Sequence, residues 1–515
     1  MRKRGSLRSD TILKILMTPT VAIIGAGPAG LTAAYLLAQR GIPVTVIEQD
    51  PQHVGGLCRT AKYKGFHFDI GGHRFFSKSK RVEDFWTQIL PDDMLERPRS
   101  SRIYYNGKFY TYPLKPFEAL LKLGVLESGL CVTSYLKARL APKADPKCFE
   151  DWVTNQFGAR LFRIFFQTYT EKVWGMSCKE ISADWAAQRI KGLSLGSAIR
   201  NGFSHKLSSG VDQEVIKTLI HSFRYPRKGP GMLWEACAGK VREMGGTVLL
   251  GHEVNGCHLD LQENRWTVRY RGAHDATHAI TADHVISSAP LQQLAQSLSP
   301  PLSPEALVAA GALRYRDFLT VMLVLKDKHV FSDNWVYIHD PGVQVGRIQN
   351  YKSWSPDMVP DPDYVCYGME YFCFEGDGLW DSSDPELIAL ASRELAQIGL
   401  ARSGDVLDGC VVRQRKAYPV YDDQYAQNVA VIRQEIEQRY PGLHLVGRNG
   451  MHKYNNQDHA MMTAMLTVEN IVAGERLYDI WQVNQDAEYH EQASAGDQAG
   501  ASGVRLVPRR RAASA

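Results

Sequence analysis

The stretch VAIIGAGPAG, residues 21–30, decides the fold. Its first four residues are apolar and mostly β-branched, which is typical of a buried strand. Gly25, Gly27 and Gly30 then form the pattern GxGxxG, which opens a helix. In such a turn the first glycine permits the tight bend, the second lets the backbone approach a pyrophosphate, and the third lets helix and strand pack closely. Because the helix N-terminus offers N–H groups and a positive dipole end to phosphates, the stretch predicts a dinucleotide-binding unit.

An acidic residue stands where the ribose of a dinucleotide would lie. Glu48 ends the next predicted strand, 21 residues after Gly27. At this spacing its carboxylate accepts a hydrogen bond from a ribose hydroxyl and disfavours a 2′-phosphate. A lone GxGxxG is a weak signal, but strand, helix and acid are here in register.

Two further glycine motifs follow, GGLCRT at residues 55–60 and DIGGHRFF at residues 69–76. NAD binding requires neither, and each glycine pair lets the backbone lie against a flat, extended ligand. Arg59 could neutralise a phosphate. Taken alone, Arg59 would be a solvated surface arginine and His73 a core histidine; together with the first motif, both indicate a ligand site.

Composition excludes several classes of protein. The chain has 515 residues, 60 basic and 55 acidic side chains and a net charge of +5, which does not indicate a nucleic-acid binder. The apolar content of 44% is typical of a globular protein, and the length favours roughly three domains. The nine cysteines are scattered without a CxxC pair, so we expect no disulfide framework and no metal site, in a reducing compartment.

The strand and helix patterns predict one nucleotide-binding domain assembled from three separated pieces. Uncharged residues 15–39 could span a bilayer by length, but their glycines and proline favour strand, turn and helix. Residues 116–224 are mostly helical in pattern, and strands at 319–325, 335–339, 346–350 and 364–373 indicate a separate sheet. We predict a basic extension at 1–16, the nucleotide-binding domain at 17–100, 222–300 and 410–484, a helical substrate or cap domain at 101–221, an antiparallel substrate sheet at 301–409, and a disordered tail at 485–515.

These motifs, in this order, resemble the flavin-dependent amine oxidase and protoporphyrinogen oxidase superfamily, and within it the UDP-galactopyranose mutases. The resemblance covers residues 21–475. The segments that resemble the mutases are IYYNGKFYTYPL (103–114), YTEKVWGMSCKEISADWAAQRI (169–190), GRIQNYKSW (346–354), AYPVYD (417–422) and GRNGMHKYNN (447–456). It implies an α/β fold with a Rossmann-like FAD domain of the glutathione reductase type, a mixed-sheet substrate domain and a helical insertion.

The resemblance also implies residue roles. FAD would be held by Gly25, Gly27, Pro28, Ala29, Gly30, Glu48, Gly56, Leu57, Arg59, Gly72, His73, Val254, Gly447, Arg448, Gln457 and Met461. His73 would lie beside the flavin ring, and the helix after Asn456 would point its N-terminus at it. A nucleotide sugar would meet Trp174, Arg189, Arg347, Tyr418 and Tyr454. The implied catalytic residues are His73, Arg347, Arg448, Tyr418 and Tyr454.

The implied reaction is the remodelling of a nucleotide-linked sugar without net redox change, in which reduced flavin is the nucleophile. Such an enzyme would act in the cytoplasm, in cell-surface glycan biosynthesis. The resemblance leaves open whether it lies against the inner membrane and whether it forms a homodimer.

Departures from the mutase pattern keep an alternative open. Leu193 and Asn456 stand where the mutases have an arginine and an acid, and residues 364–380 and the helix predicted at 384–398 resemble the oxidases more. An FAD-dependent oxidoreductase is therefore the second hypothesis. Trp174 and the nearby Phe162, Phe165 and Phe166 could equally be core residues, because they recur at helical spacing.

Overall fold

We analysed a computed structural model that describes residues 18–183, 222–272 and 275–484. The predicted basic extension at 1–16, the predicted tail at 485–515 and the candidate substrate residue Arg189 lie outside the described residues, as does Leu193.

A five-stranded parallel sheet forms the nucleotide-binding unit. Its strands, in spatial order, are Leu443–Leu445, His284–Ser287, Val21–Ile24, Val44–Glu48 and Thr247–Leu250. They come from three separated parts of the chain. The first helix is Pro28–Ala38, and it packs against helices Gly231–Glu243 and Gln457–Ala473. It begins at Pro28 because proline suits the first helical position, where no N–H bond is needed.

A four-stranded sheet lies beside this unit. Its strands are Thr277–Ala282, Arg265–Arg271, Glu253–Asp260 and Leu298–Ser299. Val254 is half-buried near the start of the third strand, where a bulge separates it from Gly256 in the pairing.

A seven-stranded mixed sheet forms the second half of the molecule. Its strands, in order, are Val406–Pro419, Tyr315–Lys326, Tyr364–Cys373, Arg347–Asn350, Trp335–Ile338, Ser101–Tyr105 and Lys108–Thr111. All neighbours are antiparallel except Trp335–Ile338 and Ser101–Tyr105.

This sheet corrects two predicted domain boundaries. The boundary at residue 409 cuts the strand Val406–Pro419, which pairs with Tyr315–Lys326 up to Pro419. The boundary at residue 101 assigns two strands of the sheet to the helical domain. Buried backbone groups must be paired, so long strands keep their partners past a boundary chosen from composition. One parallel pair also makes the sheet mixed rather than purely antiparallel.

The helical insertion packs against one end of this sheet. It contains Pro116–Leu123, Val125–Leu140, Phe149–Phe157, Ala159–Phe162, a π-helical turn at Arg163–Gln167 and Thr168–Trp174. Phe162 and Phe165 are buried in its core, as their helical spacing indicates for packing residues.

The remaining elements connect these units. The helices are Lys80–Ile89, Leu291–Ser297, Pro304–Ala312, Tyr351–Trp354, Asp384–Ile398 and Tyr425–Arg439, with short 3₁₀ turns at Gly56–Cys58, Pro356–Met358 and Ile480–Gln482. Two antiparallel pairs complete the fold: the hairpin of Thr60–Tyr63 with Phe66–Asp69, and the long-range pair of Met94–Pro98 with Ser222–Pro226. Within the three described ranges, no helix is both long enough and apolar enough to cross a bilayer.

Candidate active site

The phosphate turn has the geometry that its glycines predict. Gly25 has a φ of +95°, and its N–H donates to Ile47 O at 2.8 Å. A Cβ at Gly30 would lie 1.9 Å from Gly25 O, so only glycine lets the helix approach the strand. A Cβ at Gly27 would meet nothing within 4 Å, and no side chain caps the helix that begins at Pro28. The turn thus presents an open backbone and an uncapped helix N-terminus to a diphosphate.

Glu48 closes this turn from the neighbouring strand. Its carboxylate accepts hydrogen bonds from the backbone N–H of Ala26 at 2.6 Å and of Asp50 at 2.9 Å. Burial raises the pKa of Glu48, and the two N–H groups act in the opposite direction. A carboxylate has about four acceptor positions, so lone pairs are left for a ribose hydroxyl.

The second glycine motif lies directly on the first. Gly55 N–H donates to Ala26 O at 2.8 Å, and a Cβ at Gly56 would lie 3.4 Å from Gly27 Cα. Leu57 packs against the apolar cluster around Phe318. Arg59 donates through Nη1 to Gly56 O at 3.1 Å and to Gln414 Oε1 at 2.6 Å. These bonds hold the Arg59 side chain beside the turn.

The third piece of the chain completes the same site. Gly447 has a φ of +79°, and its added Cβ would lie 3.1 Å from Ala29 Cβ. Its N–H donates to Thr463 Oγ1, at 3.0 Å, in the helix Gln457–Ala473. Val254 lies two residues after His252, whose N–H donates to Glu48 O at 2.9 Å.

The helix Gln457–Ala473 begins beside this turn. Gln457 accepts through Oε1 from Trp234 Nε1 at 3.2 Å, while its buried Nε2 has no acceptor among the described residues. Met461 is buried and its sulfur receives Trp86 Nε1 at 3.2 Å. Burial raises the pKa of Asp458 to about 7. The helix start therefore offers an unused buried donor, beside a carboxyl that is protonated at mildly acidic pH and about half ionised at neutral pH.

His73 occupies the boundary between the two halves of the molecule. A Cβ at the preceding Gly72 would lie 2.7 Å from Gln349 Nε2, so glycine is required for this contact with the seven-stranded sheet. Burial, with the charges of Arg448 and Arg347, lowers the pKa of His73 to about 3. Its imidazole is therefore neutral at physiological pH and can both donate and accept.

Arg448 lies against two stacked tyrosines. Its guanidinium carbon is 5.1 Å from the ring centre of Tyr418 and 5.0 Å from that of Tyr454. The rings are 5.6 Å apart and 14° from parallel. Nε and Nη1 of Arg448 donate to Asn455 O at 2.9 Å and Ala417 O at 3.1 Å. The backbone thus fixes the orientation of this cation.

Arg347 is held by a carboxylate that the sequence analysis missed. Its Nε donates to Glu370 Oε2 at 2.5 Å, and Gln349 Nε2 donates to Glu370 Oε1 at 2.8 Å. Burial lowers the pKa of Arg347, but the Glu370 charge and the nearby tyrosine hydroxyls together act in the opposite direction and keep the pKa well above its usual value. The sequence does contain an indication of this pair. Glu370 is an acid inside the apolar strand Tyr364–Cys373, where a buried carboxylate needs a partner.

Tyr169 and Tyr337 are further site residues that the analysis missed. Tyr169 stacks on His339 with ring centres 4.9 Å apart and meets Tyr337 edge-on at 5.4 Å. Burial raises the pKa of Tyr169 well above its usual value, while the nearby Arg347 charge lowers it. Tyr169 opens the YTEKVWG segment, so its motif was visible although its role was not.

Trp174 lies at the edge of the site and is 3% exposed. Its ring centre is 6.0 Å from that of Tyr454 and 6.4 Å from that of Tyr421, and it belongs to the helical core. The structure thus places Trp174 beside Tyr454 and within the apolar core of the helical insertion.

The assembled residues fit a flavin dinucleotide. Gly27 leaves open space at the helix N-terminus, Glu48 keeps acceptor positions free at the end of the neighbouring strand, and the buried Gln457 Nε2 is a donor without an acceptor among the described residues. Among the residues that the structure describes, no group of His, Cys, Asp and Glu could hold a metal. All nine cysteines are unpaired thiols.

Comparison with known proteins agrees with this geometry. The sequence profile described as "Flavin containing amine oxidoreductase" matches residues 28–469. A dTDP-fucopyranose mutase of Escherichia coli is 32% identical over 170 residues, covering 32% of this chain and 44% of that protein. An L-amino-acid oxidase of Crotalus adamanteus is 26% identical over 356 residues, covering 64% of this chain and 60% of that protein. In both cases the match spans less than two thirds of the relative.

A solved structure extends the comparison to the fold. Reduced UDP-galactopyranose mutase superposes with a TM-score of 0.77 at 21% identity, covering 91% of this chain and 97% of that one. At this identity the likeness establishes the fold, an α/β flavoenzyme fold with several sheets. Because the family profile extends over most of the chain, the protein belongs to the flavin-containing amine oxidoreductase family and its cofactor is FAD.

Proposed function

We propose that the protein is an FAD-dependent enzyme of the UDP-galactopyranose mutase type, which acts on a nucleotide-linked sugar without net redox change. The observation that carries the proposal is the pair of fixed arginines: Arg347, aligned by Glu370, and Arg448, set against Tyr418 and Tyr454. A sugar diphosphate needs cations that stay charged and donate in a fixed plane, which arginine provides.

Each of these side chains has a role that its contacts support. Arg347 would bind the diphosphate, and the hydroxyls of Tyr418 and Tyr454 would donate to its oxygens. Arg448, between the FAD side and the tyrosines, would stabilise negative charge. His73 would remain neutral and exchange hydrogen bonds beside the ring. When bound and reduced, FAD would supply the nucleophile.

Two features favour an FAD oxidoreductase as the second candidate. Glu370 neutralises much of the charge of Arg347, which makes it a weaker anion site than an unpaired arginine. The L-amino-acid oxidase matches twice as much of this chain as the fucopyranose mutase does. Such an enzyme would take electrons from its substrate and pass them to oxygen or a quinone.

The requirement for reduced flavin separates the two candidates. Product formation from UDP and dTDP sugars is measured with and without dithionite, alongside the flavin spectrum. The mutase proposal expects activity only with reduced flavin and a spectral change on adding the nucleotide sugar. Equal activity on oxidised flavin would overturn the mutase proposal, and bleaching of the flavin by a candidate amine or other reductant would transfer the function to the oxidoreductase.

The cellular setting is also proposed. We place the enzyme in the cytoplasm, in cell-surface glycan biosynthesis, because nucleotide sugars are made and used there. Size-exclusion chromatography with light scattering would establish whether it is a homodimer.

A further inference from the structure

One helical hairpin exposes an unusual number of aliphatic side chains. We define the hairpin as the helices Pro116–Leu123 and Val125–Leu140. Its exposed large apolar residues have exposed fractions between 38% and 90%: Leu121, Val125, Leu126, Leu130, Val132, Leu136 and Leu140. Elsewhere in the described parts of the chain such residues are scattered singly, which is normal for a protein surface.

The longer helix of the hairpin exposes its large aliphatic side chains and buries small ones. Val125, Val132, Leu136 and Leu140 recur at the spacing of one helix face, and this face is exposed. The opposite face buries the smaller Cys131 and Ala138. An ordinary surface helix directs its large aliphatic side chains to the core, so the exposed stripe requires a cover of its own.

Exposed basic side chains lie on the hairpin or within seven residues of its ends in sequence, and we call them its basic border. Lys115, Lys137, Arg139 and Lys147 are exposed, and none has a carboxylate within ion-pair distance in the described ranges. The acids of the hairpin are already paired: Glu118 with Lys122 at 2.6 Å and Glu127 with Arg160 at 2.5 Å. Asp145, in the following loop, is an exposed carboxylate, and the four cations outnumber it.

The charges around the stripe indicate what kind of partner would cover it. An aliphatic stripe with basic borders on a helix too short to span matches the acyl and headgroup layers of an anionic bilayer surface. A second copy related by a two-fold axis would bring two sets of unpaired cations together, which is unfavourable.

We propose that the hairpin is a membrane-surface contact, in which its aliphatic side chains enter an anionic bilayer and its basic border meets the lipid headgroups. The buried face of the hairpin shares an apolar core with Trp174, so the exposed stripe and the bilayer would lie on the side of the hairpin that faces away from this core. The proposal does not depend on which reaction the site performs.

Co-sedimentation of the FAD-loaded enzyme with lipid vesicles tests the proposal. Vesicles of phosphatidylcholine alone are compared with vesicles that also contain phosphatidylglycerol. The triple variant Val125→Gln, Leu126→Gln, Leu136→Gln should bind the anionic vesicles at least about tenfold more weakly. The pair Lys137→Glu, Arg139→Glu should lose the preference for phosphatidylglycerol.

A matched variant controls for general loss of apolar surface. Val308→Gln, Leu407→Gln, Val472→Gln removes comparably exposed side chains elsewhere and should bind vesicles as the unsubstituted enzyme does. Flavin content and melting temperature report folding for every variant. The proposal is overturned if the unsubstituted enzyme does not bind anionic vesicles, or if both triple variants bind equally. A hairpin triple variant that converts a dimer to a monomer without changing vesicle binding would instead assign the face to a second copy.

Discussion

The phosphate turn is held together by contacts between residues close in sequence. The Arg347 cluster, which we define as Arg347, Glu370 and Tyr418, is held together by contacts between residues far apart in sequence. In the turn, the decisive contacts join residues a few positions apart, such as Gly30 and Gly25, within one stretch of ten. In the cluster, Arg347 faces Glu370 across two antiparallel strands, and Tyr418 comes from a third. The first arrangement depends on local sterics and the second on strand register. We therefore expect substitutions in the turn to act through steric clashes, and substitutions in the cluster to act through the loss of a paired partner.

The largest effect is expected from Gly30→Ala. Its Cβ would lie 1.9 Å from Gly25 O, so strand and helix must separate, and we expect a loss of several kcal/mol, roughly 4 or more, with little flavin bound. Gly27→Ala is the matched variant, because its Cβ has open space. It should fold normally and bind FAD more weakly, since the methyl occupies the approach of the diphosphate. Circular dichroism and FAD titration distinguish these outcomes; equal stability of the two variants would contradict the steric argument.

The Arg347–Glu370 pair should show the next largest effect. Arg347→Met or Glu370→Gln alone leaves a partner with an uncompensated buried charge, which should cost about 3–5 kcal/mol of unfolding free energy. The double variant should cost clearly less than the sum. Chemical denaturation of all four proteins in a double-mutant cycle measures the coupling.

An exposed pair provides the control for this cycle. Lys64→Met removes a cation that bonds Asp408 at 2.6 Å but is largely in solvent, and should change stability far less than either buried substitution. Additive effects of the Arg347 and Glu370 substitutions would show that the two charges are not coupled.

The same contrast explains what the sequence could predict. The glycines of the turn, Glu48 and the helix after them follow from local spacing, and the three-piece parallel sheet follows from short apolar strands. The partner of Arg347 depends on which residue of Tyr364–Cys373 lies opposite it, and a shift of one residue would put Glu370 on the other face. Register is fixed by the whole sheet, which also explains why the boundary predicted at 409 cut a strand.

A smaller, pH-dependent effect is expected at Asp458. Its pKa rises from about 3.9 in the unfolded chain to about 7 in the folded protein. The folded state therefore holds a proton that the unfolded state releases, and stability falls as the pH rises from about 4 to about 7. Asp458→Asn removes this dependence. Between pH 5 and pH 8 the variant should gain on the order of 2 kcal/mol relative to the unsubstituted protein.

Denaturation of the FAD-loaded protein at the two pH values gives this difference directly. Other groups titrate in both proteins and cancel in the comparison. Asp260→Asn, at an exposed turn, serves as the control and should show no relative gain between pH 5 and pH 8. An unchanged difference for Asp458→Asn would mean that the carboxyl is already ionised at pH 5 in the folded state.

The smallest effect should come from Trp174→Phe, which tests whether this side chain packs or binds. Trp174 is buried and touches Tyr454, so the smaller ring should reduce stability by about 1–2 kcal/mol. The Kd for UDP, from flavin spectral titration, should rise less than about fivefold, because the effect passes through Tyr454. Tyr454→Phe keeps the ring and removes the hydroxyl, so it should leave stability nearly unchanged and weaken UDP about tenfold. The reverse order of the two binding effects would make Trp174 the direct contact and would bring the helical core, like the phosphate turn, into the ligand site.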